Sequence, residues 1–319
     1  MKHIFRVLVA LALALLTVEQ MPNPKVYALP ASVKPLNPGH SALTPRQQPP
    51  LEAQVAGPIG EFVAFCPFSH RLQDDPIVFP GEAGKSHSHE FFGNVTADAN
   101  ATSASLMAGA TNCDPTADHS SYWAPTLFDA QDQPVAIEQA TFYYLVHVND
   151  PTTVQPFPVG LKIIAGNAKA STPEEAAHIK WSCLGAPDSS TGDFIVCPAD
   201  SKLELLVNYP DCWNGQDLDS ADHKSHMAYS EAGACPATHP VVVPALQFKL
   251  RYAFAGEAGM RLASGTGYTA HADFFNAWDP AALTNRIRCL HELIKCGAAG
   301  YPQPTGLDYT LFLPFIDQP

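Results

Sequence analysis

The sequence predicts a mainly β protein, a β-sandwich or jelly roll with long loops and one C-terminal helix. Three observations carry that reading. Apolar side chains alternate strictly in pairs, loops rich in Pro, Gly and Asp separate the alternating runs, and one stretch has helical spacing. From Ala245 to Ala255 one face carries Leu246, Phe248, Leu250, Tyr252 and Phe254, while Gln247, Lys249 and Arg251 occupy the other. An antiparallel strand buried on one face has this pattern. Val135–Val148, Val159–Ala165, Leu203–Asn208 and Tyr309–Phe315 are further strand candidates. The helix is expected after Asp279, which suits an N-cap, with Pro280 in the first turn. Leu283, Ile287, Leu290 and Ile294 then form one apolar face.

The flanking segments read differently. Lys2 and Arg6 precede the apolar run Val7–Val18, and Val26-Tyr27-Ala28 offers small residues at a cleavage point, so residues 1–28 are expected to be a signal peptide. The apolar run is too short for a permanent membrane span. Residues 29–58 contain Pro30, Pro35, Pro38, Pro45, Pro49, Pro50 and Pro58 and few aromatics, the composition of a disordered linker. Residues 59–319 are expected to form a single β-rich domain. The protein is then secreted and extracellular, without stable membrane insertion after cleavage.

Eight cysteines fit that compartment, and the absence of a CxxC pair argues against a thiolate zinc site. Connectivity is open at this level. The most local order is Cys66–Cys113, Cys183–Cys197, Cys212–Cys235 and Cys289–Cys296. On one continuous helix the last pair would lie about 10 Å apart, beyond the roughly 7 Å a bridge tolerates, so the helix must end between them. The chain has 18 basic and 31 acidic residues, and 15 and 30 without residues 1–28. That balance excludes a nucleic-acid phosphate partner.

Three segments concentrate histidine, acid and aromatic residues. The first holds His70, Arg71, Asp74, Asp75, His87, His89 and Asn94; the second Trp213, Asp222, His223, His226 and Tyr229; the third Tyr268, His271, Asp273 and Trp278. Six of the thirteen histidines fall here, which is clustering and not scatter. In an extended chain His87 and His89 share a face, as do His271 and Asp273, while Ser88 and Glu90 point away. His223 and His226, three apart, are expected to meet on a helical turn or tight loop. Such pairs suit neighbouring metal ligands or an acid/base couple. Asp74-Asp75-Pro76 also suits an Asx-capped turn, and Asp222 is placed to orient His223. Trp213 and Tyr229 are the better sugar-stacking candidates, whereas Trp123, Tyr122, Tyr268 and Trp278 also suit a core. Asn94-Val95-Thr96 and Asn100-Ala101-Thr102 match the glycosylation acceptor pattern.

Ser-His-Arg…Asp-Asp-Pro-Ile-Val…Ser-His-Ser-His-Glu-Phe-Phe-Gly-Asn, Thr111-Asn112-Cys113 and Tyr122-Trp123-Ala124-Pro125 recur in a known order. They are followed by Cys-Trp-Asn-Gly, Asp-His-Lys-Ser-His-Met-Ala-Tyr, Cys235-Pro236, His239-Pro240 and His271-Ala272-Asp273-Phe274…Trp278. Over roughly residues 59–298 the chain resembles the secreted domain-of-unknown-function family numbered nineteen ninety-six, found in actinobacteria and fungi. Ala277 departs from the glycine usual in fungal relatives. The resemblance implies no activity, although some members carry carbohydrate-binding modules and so imply work on polysaccharides.

The leading expectation is an enzyme, hydrolase or lyase, acting on extracellular polysaccharide or cell-wall glycan. Its catalytic residues would come from His87, His89, His226, His271, Asp75, Asp222 and Asp273, with His70, Arg71, Asn94, Trp213, His223, Tyr229 and Trp278 binding substrate. A hydrolase uses two carboxyls about 5–10 Å apart; a lyase uses a base beside a cation, for which Arg71 or Lys85 are candidates. Two alternatives stand beside it: a non-catalytic glycan-binding module, and a protein whose histidines ligate a divalent metal.

Overall fold

Alternation in the strands becomes two facing sheets in the computed structural model, which describes residues 60–185 and 189–302. The segments 1–28 and 29–58 and the candidate strand Tyr309–Phe315 lie outside the described residues.

The larger sheet has seven strands in the order Lys295–Cys296, Glu61–Phe65, Ile137–Leu145, Ala245–Tyr252, Leu203–Asn208, Ile179–Cys183 and Ser189–Thr191. The second has five: Phe68–Leu72, His89–Gly93, Ser121–Pro125, His271–Phe275 and Lys162–Gly166. All pairings are antiparallel except that of the Lys295–Cys296 edge. Aromatic rings lock the sheets face to face. Phe92 of the smaller sheet meets Phe248 of the larger at 5.4 Å between centroids, and Tyr122 meets Phe142 at 3.7 Å. The molecule is mainly β, and its sheets form a sandwich, as the alternation predicts.

Leu246, Phe248, Leu250 and Tyr252 are buried, and Lys249 and Arg251 on the opposite face both pair with Glu204 at 3.1 and 3.0 Å. The strand stops at Tyr252, where the register slips against Ile137. Leu203–Asn208 forms as expected, whereas the candidates at 135–148 and 159–165 shorten to the residues that find sheet partners. Asp279 caps the helix Pro280–His291 by accepting from the Ala282 amide at 2.8 Å, and Leu283, Ile287 and Leu290 are buried. Ile294 lies beyond the helix end, which frees Cys296 to reach Cys289 with Cα atoms 6.0 Å apart. The other three disulfides also follow the most local order.

A second, six-residue helix, Ser103–Ala108, was not expected, because Leu106 alone buries. Its mark is Thr102 with Ser105 three residues on, a reciprocal cap that uses serine where glutamate is usual. This helix helps cover the outer face of the five-stranded sheet, where Ile77, Phe91, Leu106, Trp123 and Phe275 make a separate apolar cluster. The candidate site borders that cluster.

Candidate functional site

Strand parity puts the site on the outer face. In His89–Gly93, Phe92 enters the sandwich core while His89 and Phe91 point outward; in His271–Phe275, Phe274 is inward while His271 and Asp273 are outward. His89 pairs with Pro125 on the intervening strand. Carrying that strand's frame with His271–Phe275 two residues past Asp273↔Trp123 brings His271 to the other side of the same proline. Two strand spacings separate the histidine backbones, and the short ring of Pro125 lets the imidazoles meet above it. On the next strand Gly166 faces His271; a Cβ there would come within 2.5 Å of the Ala270 carbonyl, so only glycine allows this approach.

His87, His89 and His271 converge. Their ring centroids lie 4.3, 5.1 and 5.6 Å apart, and they offer ring nitrogens all within 4.8 Å of one another. His89 Nδ1 bonds the Asp74 carbonyl and His271 Nδ1 the Thr269 carbonyl, both at 2.9 Å, and the two Nε2 atoms face each other at 3.4 Å. Asp273 Oδ2 lies 3.9 Å from His271 Nε2. The buried His87 Nε2 and both Asp273 carboxylate oxygens have no hydrogen-bond partner among the described residues.

Burial sets the electrostatics. It drives His89 well below the usual imidazole range and His271 down to about 3, with neighbouring imidazoles adding to the effect; His87 is lowered by burial as well. Asp273 is raised well above the carboxylate range by burial and then by Asp75, and burial likewise raises Asp75. Asp222 is held low by hydrogen bonds from the Ser225 amide and the Ser220 and Ser225 hydroxyls.

These groups open into a cleft of about 590 Å³. Asp75, His87, Asp222, His223, His271 and Asp273 line it, so six expected site residues share one space. Val78, Phe79 and Ile164 give it an apolar side, and Lys224 reaches across to the Gly166 carbonyl at 2.6 Å. Lys224 and Phe79 were missed. Lys224 stood inside the second histidine segment without a role, and Phe79 falls in a loop that carries no periodicity.

Other expected residues lie elsewhere, each for a visible reason. His226 is fully buried with Nδ1 on the Ser220 hydroxyl and Nε2 on the Lys162 carbonyl, so it braces the loop and does not line the cleft. No bond joins it to His223, which Asp219, not Asp222, orients at 2.9 Å. His70 is stacked on Phe91 with both ring nitrogens engaged, by Ser69 and the Ala97 carbonyl. Arg71 pairs with Glu90 at 2.7 Å beside a different cavity, and Lys85 pairs with Glu82, so neither is the cation of the cleft. Asn94 is fully buried and its amide bonds the Leu106 and His119 carbonyls, which also closes it to glycosylation in the folded chain. Trp278 is core, donating to the Tyr144 hydroxyl. Trp213 donates to the Asp217 carbonyl and steadies its own loop. Tyr229 stacks on His178 at 3.4 Å in a small neighbouring cavity.

Both acids of Asp74-Asp75 hold turns. Asp75 Oδ1 accepts from the Ile77 and Val78 amides, and the Asp74 carboxylate accepts from Gly84 and Ala99. Only Asp75 also faces the cleft.

The model of one family, the Domain of unknown function (DUF1996), matches residues 75–278. The chain belongs to that family. The DUF1996 match opens on Asp75 and closes on Trp278, and so contains every cleft carboxylate and imidazole named above. Searches of curated proteins and of solved structures each found no match.

Proposed function

We propose that the protein is a secreted enzyme that cleaves an extracellular polysaccharide or cell-wall glycan in the His/Asp cleft. One observation carries the reading: Asp273, buried and without a hydrogen-bond partner, lines an open cleft beside His271. A buried carboxyl left unpaired costs about 1–3 kcal/mol or more, a penalty that a purely structural residue would have no reason to retain. Asp273 is the group that gives or takes the proton, Asp75 the second carboxyl and His87 the imidazole nearest solvent.

The cleft's composition supports a sugar. Phe79, Val78 and Ile164 offer an apolar wall for the C–H face of a ring, and the carboxylates, Asn167 and Lys169 offer partners for hydroxyls. Four disulfides, and the lack of any helix among the described residues long and apolar enough to cross a membrane, are compatible with extracellular work.

Two carboxyls on one cleft favour hydrolysis. Lys224 favours a second reading, a lyase, because it sets a cation beside the imidazoles. A polysaccharide panel read for both new reducing ends and unsaturated products tests the proposal and separates the two. Asp273→Asn should abolish whichever product appears. Glycan retained by the wild type with neither product would mean a binding module instead.

A further inference from the structure

We propose that His87, His89 and His271 bind one divalent late transition-metal ion through three imidazoles, leaving an open coordination position toward the cleft. The inference goes beyond the glycan reading and stands without it.

Hydrogen bonding fixes the tautomers. A backbone carbonyl only accepts, so the Nδ1 atoms of His89 and His271 must each carry the proton that bonds Asp74 and Thr269. Each neutral ring then presents a bare Nε2 lone pair. Those two lone pairs point at each other across 3.4 Å, with no proton between them to share. A cationic ring would resolve the clash, but both rings are buried away from the water that would solvate the charge. A cation bound between them resolves it directly. His87 adds a third buried ring nitrogen without a partner in the same space.

The spacing fits. Metal–imidazole bonds of about 2.0–2.1 Å in a tetrahedron place neighbouring nitrogens roughly 3.3–3.4 Å apart. Nδ1 protons donated to backbone carbonyls are the usual outer support of metal-binding histidines, holding ring orientation and raising basicity. The donor set then selects the metal. Every cysteine is in a disulfide, so no thiolate is on offer, and an all-imidazole set suits zinc or copper and not magnesium or calcium.

Asp273 is a second, independent sign. Its oxygens are buried and without a hydrogen-bond partner among the described residues, and Oδ2 lies 3.9 Å from His271 Nε2, near enough to bond a water in the open position.

The test uses the full-length secreted protein without a histidine tag, stripped with chelator and titrated calorimetrically with zinc chloride and with copper sulfate. The expected result is one ion per chain. His271→Ala should weaken binding by more than about 100-fold, beyond the 10–100-fold that outer partners contribute. His239→Ala should leave affinity unchanged. If His89 or His271 variants fail to fold, cobalt(II) substituted into the wild type still decides: intense visible bands mark tetrahedral nitrogen coordination. No stoichiometric uptake, affinity unaltered in His271→Ala, or an octahedral cobalt spectrum each overturns the proposal. All are read without substrate, so failure to find a glycan product does not touch them.

Discussion

Two polar clusters on opposite faces of the five-stranded sheet are buried in opposite ways. On the inner face Asp118 accepts from the Tyr122 hydroxyl at 2.6 Å and the Ser120 amide, Tyr122 and Tyr144 share a short hydrogen bond, and Trp278 donates to Tyr144. On the outer face His87 Nε2 and both oxygens of Asp273 are equally sealed from solvent and have no hydrogen-bond partner among the described residues. Tyr122 and Asp273, which anchor the two sets, sit on neighbouring paired strands. A buried polar network that is satisfied specifies a fold, whereas one left open costs stability and is kept for what it binds or does.

The contrast can be broken most forcefully in the core. Trp278→Ala should cost about 3–5 kcal/mol, since it empties a fully buried site that contacts Phe62 and Tyr144. Urea denaturation measures it, and a loss under 1 kcal/mol would mean that the inner face is not the stabilising one.

Two isosteric changes sharpen the comparison. Asp118→Asn should destabilise by about 1–3 kcal/mol, because an acceptor of the Tyr122 proton is replaced by an amide in a closed network. Asp273→Asn should be neutral or stabilising by about 1 kcal/mol, because it removes a desolvated carboxyl with no partner among the described residues, while the proposed glycan cleavage is lost. Equal losses in both variants would make Asp273 structural.

Acid separates the faces as well. His271 has an ordinary value of 6.5 and is pushed to about 3, so below 6.5 the unfolded chain binds more protons than the folded one. Stability therefore falls as pH drops from 6.5 toward about 3, with a limiting slope of about 1.4 kcal/mol per pH unit for each such histidine. Asp118, raised from 3.8 to about 6 by burial, acts with the opposite sign: the folded chain holds the extra proton, and stability rises as pH falls through that window. In metal-free protein His271→Gln should remove one histidine's share of the acid loss. Unfolding midpoints measured from pH 4 to 7 that match the wild type throughout would refute that assignment. The smallest effect belongs to the exposed Lys85–Glu82 pair, where Lys85→Ala should change stability by less than about 0.5 kcal/mol and leave turnover intact.

Period-two patterning announced the sandwich, since Leu246, Phe248, Leu250 and Tyr252 can bury together only in a strand. The same rule found His87 with His89 and His271 with Asp273, because strand parity is local. It could not bring His89 to His271, 182 residues away, since that meeting depends on which strands flank Pro125. Nor could it separate His226 from the site. A histidine whose two nitrogens meet a serine and a distant carbonyl looks, in sequence, like one whose nitrogen is bare. His223 and His226 share the expected tight loop but do not bond each other, because His223 adopts a φ of 58° and turns to Asp219 while His226 turns to Ser220 and the Lys162 carbonyl.

Asp74 ties several of these parts together. Its carboxylate holds the Gly84 and Ala99 amides, and its carbonyl holds the ring of His89. The loop that leads to Val78 and Phe79 on the wall of the cleft, and the buried His89 behind it, therefore hang from one residue. Cleft wall and buried histidine are thus inherited as a unit: a loop exchanged between relatives must bring its own Asp74, or the ring of His89 loses its hold.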